Sequence, residues 1–180
     1  MGAQISYGDV PVPYTASWTS EERFFVARCV HAKAAAICQA TSRGTGKPRF
    51  GKPHAIRQRE TIARGLCDLC ARPLAGRTKV SLSHARPFAH AAKMGDILQV
   101  EPLLHKRCAA ISLKHCPALI RDTANGTLNV RQVTRYAVQM AVMSPEYVRE
   151  VAGEDRKAVG HAKVQLLAWI DRDAEWLEAP

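Results

Sequence analysis

The 180-residue chain contains no apolar run close to the roughly 18–20 residues that a membrane-spanning helix requires, so no such helix is expected. Its first residues, Met-Gly-Ala-Gln-Ile-Ser-Tyr-Gly-Asp, include neither a basic start nor an apolar stretch. A secretory signal is therefore not expected, and a cytoplasmic location is. Aromatic residues are scarce at 6%, yet apolar residues reach 47%, the balance of an ordinary soluble globular protein. Acidic residues are few as well: 16 Asp and Glu stand against 26 Lys and Arg, for a net charge of +10.

That charge is unevenly placed. Residues 1–42 hold 3 cations and 3 anions, residues 43–121 hold 16 against 4, and residues 122–180 hold 7 against 9. The whole excess lies in the middle segment, and a field of that kind attracts polyanions, most commonly nucleic acid and here DNA first. The same segment holds four of the six cysteines, Cys67, Cys70, Cys108 and Cys116. Without an export signal, cysteines in a chain of this size suit metal ligation better than a disulfide framework.

The sequence divides into three parts. Residues 1–53 read as an N-terminal segment, a helix over residues 19–39 opened by Thr19 and Glu22 in a capping-box spacing, and a basic loop over residues 41–53. Residues 54–121 begin with a short basic helix ended by Gly65, then enter a metal-binding module. Residues 122–180 read as helical, after a turn at Asn125-Gly126. One helix is expected over residues 130–142, with Val133, Ala137 and Met140 on one face. A helix start follows at Ser144-Pro145-Glu146, and a last helix over residues 155–177 carries Val159, Leu166, Ile170 and Leu177. Cys29 and Cys38, on the first of these helices, are expected as small buried residues rather than ligands.

The chemistry is carried by two pairs of ligand residues. Cys67-Asp68-Leu69-Cys70 has the form of a zinc knuckle, in which a tight turn lets both thiolates face one ion. A lone pair of this spacing could be redox-active, but no thioredoxin-like alternation of elements surrounds it. His105-Lys106-Arg107-Cys108 repeats the spacing, with 34 residues between Cys70 and His105. Together they make a closed Cys₃His set for a structural Zn²⁺, a site with no open position. His115 and Cys116 follow closely enough that either could replace His105 as the fourth ligand.

Residues 66–116 resemble the treble-clef, ββα-metal module of HNH endonucleases. Cys67 to Cys70 matches the first knuckle of the zinc-bound members, Val80-Ser81-Leu82-Ser83-His84-Ala85-Arg86-Pro87 the central motif, and Pro102 to Cys108 the second knuckle. Short basic zinc proteins of this kind are also similar to phage-encoded ones. With the helices read on either side of it, the treble clef that the resemblance implies gives an α-rich α+β fold: a central treble clef flanked by N- and C-terminal helices. The resemblance implies His84 as general base and His115 as a ligand of a second, catalytic divalent ion. Ser83 stands where the family has a carboxylate, and Leu98-Gln99-Val100 where it has an asparagine, which favours binding over catalysis.

The first reading is thus a zinc-stabilised nucleic-acid-binding protein with a degenerate HNH-like fold. Its phosphate contacts are expected from Arg43, Lys47, Arg49, Lys52, Arg57, Arg59, Arg64, Arg77, Lys79 and Arg86, with Phe50 and Phe88 placed to stack on bases. The second is a metal-dependent endonuclease using His84. The third is a zinc-stapled adaptor that binds another protein through its C-terminal helices.

Overall fold

The computed structural model describes residues 4–84 and 97–179. Strand outweighs helix, 42% to 27%, and this overturns the α-rich expectation. The centre of the molecule is a seven-stranded mixed sheet in the order β4 (Phe24–Cys29), β5 (Ala34–Gln39), β11 (Ala158–Arg172), β10 (Asn129–Met143), β7 (Lys79–Ser83) and β9 (Leu104–His105), with β8 (Ile97–Gln99) also on β11. Its spine is a hairpin of two 15-residue strands, β10 (Asn129–Met143) and β11 (Ala158–Arg172), joined through helix α4 (Pro145–Ala152). Both strands stand where helices were expected. β11 shows why in its middle: Ala162, Val164 and Leu166 are buried while Lys163 and Gln165 between them are more open, the alternation of a half-buried strand. In β10 the alternation is broken by register shifts between Val133 and Tyr136 and again at Ala141/Val142. Each bulge moves the apolar set by one residue, so the run imitates helical spacing.

The first expected helix is likewise replaced. Thr19–Glu21 forms only a 3-10 turn, and the alanine-rich stretch becomes a hairpin of β4 (Phe24–Cys29) and β5 (Ala34–Gln39). Alanine favours a helix by only a few tenths of a kcal/mol per residue over most alternatives, which pairing and burial easily exceed. β5 joins the spine by a parallel bridge, Val159 to Ala36. The expected basic loop contains β6 (Pro48–Pro53), which pairs with β3 (Ala16–Trp18). A short N-terminal hairpin of β1 (Ile5–Tyr7) and β2 (Val10–Val12) precedes it.

The locally encoded elements stand where the sequence places them. Helix α1 (Ala55–Arg64) is capped by His54, whose Nδ1 accepts the Arg57 N–H at 3.3 Å, and ends at Gly65 in the left-handed region, φ 61°. Ser144 caps α4, with Pro145 at its first position. Beyond the knuckle come β7 (Lys79–Ser83), β8 (Ile97–Gln99), β9 (Leu104–His105), α2 (Lys106–His115) and α3 (Pro117–Ala124), and α5 (Ala174–Glu178) closes the chain. Among the described residues β7 pairs with β10 and β9, and β8 with β11. The Ser81 hydroxyl on β7 still donates to Gln99 Oε1 on β8 at 2.6 Å, so the sheet curls to bring the two within reach.

The main core lies inside this curl. Leu69 and Leu74 of the knuckle, Val80 and Leu82 of β7, Ile97, Leu104, Ala109 of α2 and Val164 and Leu166 of β11 form one buried cluster, closed by Leu177 of α5. A second cluster, Cys29, Ala36, Cys38 and Val159, joins the β4–β5 hairpin to β11. Both cysteines are therefore buried as expected, though on strands. The sheet takes strands from all three parts of the chain: β4 and β5 from residues 1–53, β7 to β9 from 54–121, β10 and β11 from 122–180.

Candidate metal centre

The knuckle begins where α1 is forced to stop. Gly65 in the left-handed conformation turns the chain, Leu66 N–H returns to Thr61 O at 2.8 Å, and a bridge from Leu66 to Pro73 closes the loop that holds both cysteines. Inside it Cys67 N–H donates to Arg72 O and Ala71 N–H to Cys67 O, each at 2.9 Å, with Ala71 also left-handed at φ 55°. The loop is tied to the second pair from outside: Asp68 N–H donates to Leu103 O at 3.0 Å, two residues before His105. His105 caps α2, and Cys108 sits in that helix's first turn.

Cys67, Cys70, His105 and Cys108 come together, their ligand atoms all within 4.8 Å of one another, and the group could hold a metal ion. His105 Nδ1 lies 3.5 Å from Cys70 Sγ and 3.8 Å from Cys108 Sγ. A tetrahedron with Zn–S of about 2.3 Å and Zn–N of about 2.0 Å has an S···N edge of about 3.5 Å, so the spacing suits such an ion. Nε2 of His105 lies 3.0 Å from Pro73 O, and a carbonyl only accepts. The proton is therefore on Nε2, and Nδ1 faces the thiols with its lone pair free, the arrangement by which outer hydrogen bonds orient a ligating imidazole.

The thiols do not titrate alike. A hydrogen bond from Cys108 lowers Cys67 to about 5 against the effect of burial, helped by the backbone N–H groups of Cys70 and His105. Cys108, the donor in that bond, is pushed up, and burial pushes Cys70 up. The cluster thus stabilises one thiolate and resists the second and third, a resistance that a cation among them would remove. His115 and Cys116 lie outside the group, at the far end of α2 about two turns beyond Cys108.

The other expected site residues are dispersed. His84 follows β7, and its Nε2 lies 2.7 Å from Asp122 Oδ2 on α3, a largely buried carboxylate that the sequence did not single out. Of the expected cations, Lys47, Lys52, Arg64 and Arg77 are exposed, and Lys79 is half-buried. Arg49 pairs with Glu22, Arg64 with Glu60, and Arg43 stacks on Tyr14 at 5.1 Å. Arg57 and Arg59 are buried, facing inward from α1 rather than toward a phosphate surface. Arg57 makes a fork to Glu21 at 2.8 and 2.7 Å, and Arg59 donates to Gly160 O and Ile37 O. Phe50 is exposed, and Arg86 and Phe88 lie outside the described residues.

Compared with protein-family models, with curated proteins and with solved structures, the chain gives no match. The site itself defines the class: a sheet-rich protein with a Cys₃His cluster able to hold a metal ion.

Proposed function

We propose that the protein binds nucleic acid and that a structural Zn²⁺ in the Cys67, Cys70, His105 and Cys108 cluster stabilises it for that role. The closed Cys₃His group carries this reading. Its four ligands leave no open position, as structural rather than catalytic zinc sites do. It also ties together the segment that holds the whole positive excess of the chain.

Two measurements test it. Adding Zn²⁺ to metal-free protein at pH 7 is expected to fill one site and to release protons, because thiols ligate as thiolates, while burial holds Cys70 and the bond donated to Cys67 holds Cys108 toward the protonated form. Retention on immobilised DNA or heparin is expected to persist at moderate salt and fall steeply as salt rises. Elution at low salt sinks the nucleic-acid reading, and absence of bound zinc sinks the metal reading.

The 2.7 Å contact of His84 with Asp122 favours a second reading, hydrolysis of a phosphodiester with His84 as base and a second divalent ion as cofactor. The carboxylate would hold the imidazole in one tautomer. Plasmid nicking with Mg²⁺, Mn²⁺ or Ni²⁺ is then expected to fall about 100-fold or more in His84→Ala. Nicking that survives the substitution removes His84 from any mechanism.

A further inference from the structure

An open groove of about 1120 Å³ runs directly over the metal cluster, and its walls come from the two ligand pairs. One wall is the knuckle loop and the turn after it, bearing Arg72 and Arg77. The other is the first turn of α2, bearing Lys106 and Arg107. The floor between them includes Leu69 and Ile111, and no carboxylate is among the lining residues. Arg72, Arg77 and Arg107 are exposed, while Lys106 is partly committed, donating to Ala179 O at 2.7 Å and lying 4.9 Å from the Trp176 ring centroid. Only Arg77 of these four was among the expected phosphate contacts.

We infer that this groove seats the sugar–phosphate backbone of a nucleic acid. The inference rests on the nucleic-acid-binding reading above and gives it a location. Three features support that occupant. Four cations in one groove oppose even the full charge of an occupied cluster, in which one divalent ion and three thiolates leave a net −1. The guanidinium groups present planar forks suited to phosphate oxygens. No carboxylate lines the groove to repel a phosphate backbone.

The two walls are distant in sequence and are held together at the cluster itself. The bond from His105 Nε2 to Pro73 O joins them, as do the Cys70 and Cys108 thiols around His105 Nδ1. A Zn²⁺ held by these four residues would lie where the two walls meet and would fix the spacing of the cations above it.

Fluorescence anisotropy with short labelled DNA, duplex and single-stranded, titrated between about 50 and about 200 mM salt, tests this with the full chain. The combined variant Arg72→Ala, Arg77→Ala, Arg107→Ala is expected to bind at least about 30-fold more weakly, with a salt slope reduced by about 2 to 3. The variant with lysine at the same three positions is expected to keep most of the affinity, which separates loss of charge from loss of fold. A lysine variant as weak as the alanine one counts against the groove. If the alanine variant binds like the wild type while Lys47→Ala, Lys52→Ala is weakened, the groove is wrong and nucleic-acid binding stands. Failure of the wild type to bind either DNA form or RNA overturns both, and tighter binding of a glutamate-rich peptide overturns the choice of occupant.

Discussion

Replacing Cys67 with serine is expected to abolish zinc binding and to remove most of the roughly 10 kcal/mol or more that a structural Zn²⁺ contributes to folding. Cys67 is fully buried and sits in the main core beside Leu69, Leu74 and Leu103. Net stabilities of native domains are themselves only about 5–15 kcal/mol, so a loss of this size leaves little or none. Elemental analysis is expected to find no bound zinc in Cys67→Ser, and circular dichroism to show no cooperative melt. Cys116→Ser, altered outside the cluster, is expected to keep both. A Cys67→Ser protein that melts like the wild type, or a wild type whose melting is indifferent to a strong chelator, defeats the structural role.

Glu21→Ala is expected to destabilise the protein by about 3–5 kcal/mol, the cost of leaving a buried charge unpaired. Glu21 is fully buried, and its carboxylate takes the two-pronged Arg57 fork, the Trp18 N–H at 2.9 Å and the Ser42 N–H at 2.8 Å. Urea unfolding measures the loss, and a change under about 1 kcal/mol would mean the pair is not desolvated as described. The same network makes the wild type acid-sensitive in two stages. Burial, with the Arg57 charge, holds His54 below its usual 6.5, so the folded imidazole stays neutral while the unfolded one takes up a proton. Stability present above pH 6.5 is therefore lost as pH falls through and below that value. Burial alone would raise Glu21, but the hydrogen bonds from Arg57 and Ser42 outweigh it and hold the carboxyl below its usual 4.5. A second loss follows as pH falls below 4.5, and it is expected to disappear in Glu21→Gln.

What was legible in the sequence was what neighbours in the chain decide. Gly65 stops α1 and Ser144-Pro145 starts α4 through contacts within a few residues. The two ligand pairs announce themselves because a metal site demands particular donors at short spacing. The strands were hidden because their stabilisation comes from afar. Ala34 to Ala36 read as helix formers until β4 pairs with them, and the bulges of β10 disguise its two-residue period. In β11 the run Ala162-Lys163-Val164-Gln165-Leu166 does alternate, and that signal was available. Glu21 and Glu22 suggested the positive end of a helix; instead Glu21 is consumed by an arginine 36 residues on, a partner no local pattern names. In the groove, Lys106 and Arg107 are the two residues between His105 and Cys108, where cations pass for spacers.

The shared hairpin has a consequence for how the protein comes apart. β10 supports β7 along its first five residues, and β11 supports β8 at one point and β5 at another, so the metal core and the N-terminal core rest on the same two strands. Residues 54–121 cut out alone would expose the inner faces of Val80, Leu82 and Ile97, which the hairpin covers. The Glu21 pair reaches the same strands through α1, which Arg57 anchors and which Gln58 and Arg59 bond to Ala162 and Gly160 of β11, so its loss is expected to weaken the hairpin that the metal core also needs.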